Sequence, residues 1–330
     1  MPVSPALWYI RYMAGDPSAR ISPTAHYTGY VWYRHGLAHP AFETWPGRLL
    51  YHGMRPFMRV SRAVSGATLD SMLLFRHRAI DRLLQEAIER GEIGQVVEIA
   101  AGLSPRGYRF MKRYGRAGLV YVESDLPAMC ARKRALLRRI GPLPGRHHVV
   151  EVDALASRGR HSLAAVGRRL FDLERGTAIV VEGLLNYFDR ATMLAVSQRI
   201  ADFLAQFPDG LYLTDLYPRS TVADLPGLRL FVAALSAFAR GRVHLHFDRP
   251  AAAEQALLRC GFDAAQVRPA IDFLDPATRS AYDAADSGTA DDGPGQSAVG
   301  SPGLPDTREY ACPVAVARAR VGRALKRISP

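Results

Sequence analysis

From about residue 93 onward, short apolar runs rich in Val, Ile and Tyr alternate with stretches that read as amphipathic helices. A parallel strand pair needs a crossover long enough to bring the chain back to the same end of the sheet, and a helix supplies it. The fold class is therefore α/β. The predicted strands cover 96–100, 119–124, 147–152, 178–182 and 211–214, with a late one over 310–317. Helices are predicted over 105–114, 127–140, 161–173, 190–207, 223–240 and 250–260. Pro105 and Pro127 sit where a first helical turn tolerates proline, and Gly115 and Gly141 stand where helices end.

The 330 residues suit one large core with an appended segment. The sequence divides into a cap over 1–92, aromatic and turn-rich until a helix at 71–90, and a core over 93–330. Within the core, 283–308 is dense in Gly, Pro, Ser and Asp and reads as a disordered surface loop, while 320–330 reads as a basic tail. No apolar run reaches the roughly 20 residues that span a bilayer, and the amino end lacks the features of a signal peptide. The expectation is a cytoplasmic protein with no membrane partner.

A net charge of +12 would ordinarily suggest nucleic acid as a partner. The basic residues are 40 arginines and only Lys112, Lys133 and Lys326, spread along the chain. That skew reads as compositional bias, the run Arg132–Arg139 as a solvated helix face, and no nucleic-acid partner is expected. Three distant cysteines, Cys130, Cys260 and Cys312, read as buried thiols rather than disulfides or a zinc site, and no metal is expected.

The first core strand runs into a small-residue turn and then a helix, in VVEIAAGLSPRGYRF. In open α/β sheets ligands sit beside such turns, beyond the carboxyl ends of the strands. Ala100, Ala101, Gly102, Leu103 and Ser104 make a poor pyrophosphate cradle, so the turn suits a cofactor without phosphate. Asp125 follows Gly102 by 23 residues, where an acid accepts both hydroxyls of a ribose. Asp153 can accept from an adenine amino group while the Ala154 backbone meets the ring edge, and Glu182 and Tyr187 close the same rim. Each acid alone reads as an N-cap or surface group; three on neighbouring strand ends outweigh that reading, and their charge suits a cationic sulfonium. Glu98, inside the first strand, is either hydrogen-bonded beside the cofactor or turned to the rim.

These stretches, with ISPTAHYTGYVW, FRHRAID, ESDLP, EVDAL and EGLLNYF in that order, resemble the leucine carboxyl methyltransferase family. The resemblance implies a class I, Rossmann-like core of seven mostly parallel strands with helices on both faces and one antiparallel strand near the carboxyl end, under an amino-terminal helical cap. It implies S-adenosyl-L-methionine as cofactor. Arg76 stands where the family holds the methionyl carboxylate, Ala100 and Gly102 in its glycine-rich turn, Asp125 at the ribose, Asp153 with Ala154 at adenine, and Glu182 after the fourth strand. His26 lies near a basic cap residue that contacts the cofactor in some members. Two positions depart from the family's G-A-G-L-D-T-R: Ala100 replaces its first glycine, and Ser104-Pro105 replaces Asp-Thr. Arg106 matches the motif arginine and reads as a brace for the cap.

Methyl transfer from a sulfonium is an in-line displacement, so the protein must align the reacting atoms and exclude water. A carboxylate acceptor, already ionised at neutral pH, needs an orienting clamp but no base. Tyr187, Asn186, His26, Tyr30 and Tyr217 are candidates, with Tyr187 and His26 the leading catalytic ones. A phenol would call for His26 or His246 as base. Tyr27 and Tyr30 are candidates to line the acceptor pocket. The leading reading is carboxyl O-methylation of a small molecule such as a polyketide. The alternatives are a phenol, a protein carboxyl terminus, or a catalytically silent cofactor-binding module.

Overall fold

A computed structural model describes residues 23–65, 68–220, 243–274 and 314–322. Seven strands form one sheet: β1 (Gln95–Ile99), β2 (Val120–Asp125), β3 (Arg146–Glu151), β4 (Thr177–Val181), β5 (Gly210–Leu216), β6 (Ala264–Pro269) and β7 (Ala315–Val321). Their order across the sheet is β3-β2-β1-β4-β5-β7-β6, and β7 runs antiparallel to both of its neighbours. This is the Rossmann-like α/β arrangement expected. β1 lies centrally, so the turn that follows it opens at the point where the strand order reverses.

Helices α1 (Pro23–Arg34), α2 (Trp45–Ser65) and α3 (Leu69–Glu89) precede the sheet. The connections then carry α4 (Arg106–Tyr114), α5 (Pro127–Ile140), α6 (Leu163–Leu170), α7 (Arg190–Leu204) and α8 (Pro250–Arg259). One face of the sheet packs Val97, Val122, Ile179 and Val181 against α6, α7 and α8. The other packs Val96, Tyr121, Val180 and Leu213 against α1, α3 and α4. Strands buried on both faces read as continuous apolar runs, which is why β1, β2, β4 and β5 are legible in the sequence.

α3 begins at a reciprocal cap: the Thr68 hydroxyl accepts from the Ser71 N–H at 3.1 Å, and the Ser71 hydroxyl accepts from the Thr68 N–H at 3.0 Å. It ends before Gly91, whose φ is +73°. α1 and α2 replace the turn-rich reading of the early segment, and α2 turns Leu50, Tyr51, Met54, Phe57 and Met58 inward at helical spacing. β6 was not anticipated: AAQVRP lies at the sheet edge with only Val267 buried, so it lacks the apolar density of the inner strands. The chain is irregular over 243–247. β7 continues to Val321, later than either the predicted strand or the start of the predicted basic tail. The loop over 283–308, the helix over 223–240, Cys312 and residues 323–330 lie outside the described residues. Cys130 and Cys260 are buried thiols. Among the described residues no helix is long and apolar enough to cross a membrane.

α4 must lie close to β2, and Gly107 provides the room. A Cβ there would lie 1.9 Å from Oε1 of Glu123. Gly107→Ala gains about 1 kcal/mol of helix propensity but overpacks a buried carboxylate at a cost of about 1–3 kcal/mol or more. Chemical denaturation is expected to show net destabilisation.

Candidate active site

Alternation along the strands decides which face each strand-end acid occupies. Val96, Tyr121, Val180 and Leu213 all face α3 and α4. Glu98, Glu123, Glu182 and Asp215 each lie two residues further on and come to that same face. Glu98, Glu123 and Asp215 are each only 1% exposed. A lone buried carboxylate carries a desolvation penalty of several kcal/mol, so such a set requires cations among it.

Arg106, from the first turn of α4, is fully buried at the centre of the set. Its Nε donates to Asp81 of α3 at 2.5 Å, Nη1 to Glu98 at 2.5 Å and Nη2 to Glu182 at 2.6 Å. The brace expected of Arg106 is thus a junction of α3, β1 and the end of β4. Glu98 also accepts from the Tyr121 hydroxyl at 2.9 Å. His77 Nδ1 lies 2.9 Å from both Glu182 Oε2 and Arg106 Nη2. Burial and the Arg106 charge push the His77 ring down to about 3, so it is neutral near pH 7.

Arg76 enters from α3. Its Nε donates to Glu182 Oε1 at 3.0 Å, and its Nη1 donates to Asp215 Oδ2 at 3.0 Å and to the Tyr217 hydroxyl oxygen at 2.9 Å. Nη2 takes part in none of these bonds. Gly183, at φ +69°, leaves that group room, since a Cβ there would lie 2.9 Å from Nη2. Burial acts to raise Glu182, but His77, Arg106 and Arg76 together hold its pKa well below the carboxylate range. Burial pushes Asp215 and Glu98 up, against the pull of Arg76 on the first and Arg106 on the second.

The turn after β1 is left-handed twice, at Ala100 (φ 54°) and Gly102 (φ 50°). For Ala100 this conformation costs about 1–2 kcal/mol, a strain that glycine would avoid. The turn is held from outside: the Gly102 N–H donates to Asp125 Oδ2 at 2.8 Å, while Asp125 Oδ1 accepts from the Leu126 N–H at 2.7 Å. Burial raises the pKa of Asp125 despite those two N–H groups. Each carboxylate oxygen keeps a second lone pair for a further donor.

Two cavities meet at this turn. One, of about 170 Å³, is walled by Arg76, Glu98, Ala100, Gly102, Glu182 and Tyr187 among others. The second, of about 20 Å³, is walled by Asp125, Asp153 and Ala154, and Ala100 belongs to both. Asp153 Oδ1 accepts from the Leu155 N–H at 2.8 Å. Nine of the ten predicted site residues therefore lie on one connected rim.

His26 does not. Its Nδ1 lies 2.9 Å from the Thr44 hydroxyl, behind the larger cavity's wall, where burial and then Arg132 lower its pKa. Thr24 and Thr28, one helical turn apart on α1, reach the cavity while His26 turns to α2. Tyr27, Asn186 and Tyr217 line the larger cavity. Tyr30 packs instead on Tyr51, with ring centroids 5.1 Å apart. His246 Nε2 is engaged with the Phe188 carbonyl at 2.8 Å. Lys133, read as part of a solvated face, is buried. Its rarity as a lysine was the sequence signal.

Residues 43–201 match the sequence model of the leucine carboxyl methyltransferase family. A protein from Mycobacterium tuberculosis, provisionally named an S-adenosyl-L-methionine-dependent methyltransferase, is 34% identical over 128 residues, covering 39% of this chain and 40% of its own. A Mycobacterium leprae protein of the same provisional name is 32% identical over 128 residues, with the same coverage. The chain thus spans about 40% of the length of the curated relatives it matches. Two crystal structures share the fold at a TM-score of 0.56 each. One is a provisionally assigned methyltransferase from Thermobifida fusca, 13% identical over 90% of this chain and 94% of that one. The other is a DUF574 family protein from Streptomyces avermitilis, 15% identical over 92% of this chain and all of that one.

A histidine kept neutral in the folded state contributes stability above its unfolded pKa and loses it as pH falls toward the folded value. The stability of this protein is expected to decline on acidification from about pH 6.5, by up to about 1.4 kcal/mol per pH unit for His77. Denaturation titrations between pH 7 and 4.5 are expected to show a shallower decline in His77→Gln.

Proposed function

We propose that this chain is an S-adenosylmethionine-dependent O-methyltransferase acting on the carboxylate of a small molecule. The observation that carries the cofactor assignment is the rim itself. An arginine with one amino group outside its ion pairs faces a turn without a phosphate cradle, beside acids at the ends of β2, β3 and β4. That donor set matches each part of the cofactor. Arg76 Nη2, with Gly183 leaving it space, suits the methionyl carboxylate. The spare lone pairs of Asp125 suit two ribose hydroxyls, and Asp153 with the Ala154 backbone suits adenine. The family match over 43–201 and the names of the mycobacterial relatives support the same reading.

When bound, S-adenosylmethionine supplies an electrophilic methyl group on a cationic sulfonium. The protein's residues bind, orient and exclude water. Glu98 and Glu182 give the larger cavity a negative wall next to the turn, and Arg106 fixes both in place. Tyr27, Trp32, Leu69, Met72 and Leu73 give it an apolar wall for an acceptor's body. Asn186 and Tyr187 are the candidate clamp for the acceptor's carboxylate. Of the Asn186 amide, Nδ2 is the donor that a carboxylate would meet, since Oδ1, buried without a partner, only accepts. The histidines that a phenol would need are turned to other work: His26 to Thr44 and His246 to Phe188. A carboxylate acceptor fits that arrangement, because it needs no base.

Titration calorimetry is expected to show binding of S-adenosylmethionine and of its demethylated product. Asp125→Ala, which loses charge-assisted bonds of about 1.5–3 kcal/mol, should weaken both by about 10- to 100-fold. No binding at millimolar cofactor, or unchanged affinity in the variant, would overturn the assignment. Incubation with matched aromatic acids and phenols is expected to yield alkali-labile methyl esters from the acids; alkali-stable ethers alone would move the function to phenols.

A further inference from the structure

Lys133 stands out first by composition. The basic residues are 40 arginines and three lysines, and one of those lysines is buried. The side chain rises from α5 and is 2% exposed. Its Nζ donates to the carbonyl oxygen of Ser104 at 2.6 Å and to that of Gly102 at 3.2 Å. It lies 2.6 Å from Oε2 of Glu123 and 5.7 Å from the centroid of the Phe42 ring. A compact ammonium can meet acceptors converging from several directions, whereas a planar guanidinium fork cannot.

We infer that Lys133 is a positioning residue that holds the turn after β1 in its cofactor-binding shape, an inference that rests on the function proposed above. Within the turn the Ser104 N–H donates to the Ala101 carbonyl oxygen at 2.8 Å, and Ala100 is held in the left-handed region, which strains a residue with a Cβ. The turn is gripped on two sides. Asp125 takes the Gly102 N–H, and Lys133 takes the Gly102 and Ser104 carbonyl oxygens. Lys133 lies outside the cavity wall while Ala100 to Ser104 line it. The Gly102 and Ser104 carbonyl dipoles are therefore committed to a cation behind the turn. Lys133 touches no ligand, and its effect passes through the backbone of residues 100–104.

The test compares Lys133→Met, Lys133→Arg and a control, Gln95→Leu. Gln95 is buried at the opposite end of the sheet, where its amide joins Asp172 and Thr177. All proteins are compared well below their melting temperatures. Lys133→Met is expected to raise the Kd for S-adenosylmethionine and its demethylated product at least tenfold, leaving kcat at saturating cofactor within about threefold. Lys133→Arg is expected not to restore affinity. Amide exchange in ligand-free protein is expected to quicken at residues 100–104 in Lys133→Met and not in the control. If Lys133→Met does not fold, Lys133→Gln takes its place under the same criteria. Native Kd in the Met or Gln variant, native affinity in Lys133→Arg, or an equal loss in Gln95→Leu would overturn the inference. Should the native protein bind no cofactor, the functional reading falls by itself, and unchanged amide exchange would still overturn the role of Lys133.

Discussion

The buried guanidinium of Arg106 is the contact on which the site depends. It joins Asp81 of α3, Glu98 of β1 and Glu182 at the end of β4 through all three of its nitrogens. Arginine suits this place because its planar fork presents five fixed donors and it remains charged under all relevant conditions. Without it, three carboxylates would lie within a few ångströms of one another in an apolar interior. They would have to take up protons or move apart. The same contact couples the helices that precede the sheet to the strands that carry the proposed cofactor site. Packing of α3 and the electrostatics of the rim are therefore one arrangement.

Around this contact the rim is built in layers. Arg76 reaches past Glu182 to Asp215 and Tyr217, which spans the ends of β4 and β5. Asp125 and Lys133 grip the turn after β1 from either side. Ala100 belongs to both cavities, so the turn is the hinge of the site's geometry as well as its floor. The left-handed strain at Ala100 is sustained because the surrounding bonds fix the turn from outside.

Much of this was legible in the chain. The inner strands show as apolar runs, and Asp125, Asp153 and Glu182 stand at the ends of β2, β3 and β4 in the chain. What was hidden was hidden for physical reasons. β6 lies at the edge, where little apolar surface marks a strand. Lys133 sits within a basic run whose other members mostly face solvent, and only its contacts set it apart. His26 carries the right chemistry at the right place in the sequence, yet the rotation of α1 turns it toward Thr44.

The amino-acid sequence by itself determined the α/β class, the small-residue turn after β1, and the set of acids at the strand ends. Strand and helix periods are local, and each residue's place in the period is fixed by its neighbours in the chain. Only the tertiary structure decided which of those acids are neutralised, by which arginine, and which side chains reach the cavity. Such choices depend on groups far apart in the chain, 139 residues for Arg76 and Asp215. A charge in a low-dielectric interior takes its character from what lies within a few ångströms, which local sequence does not encode.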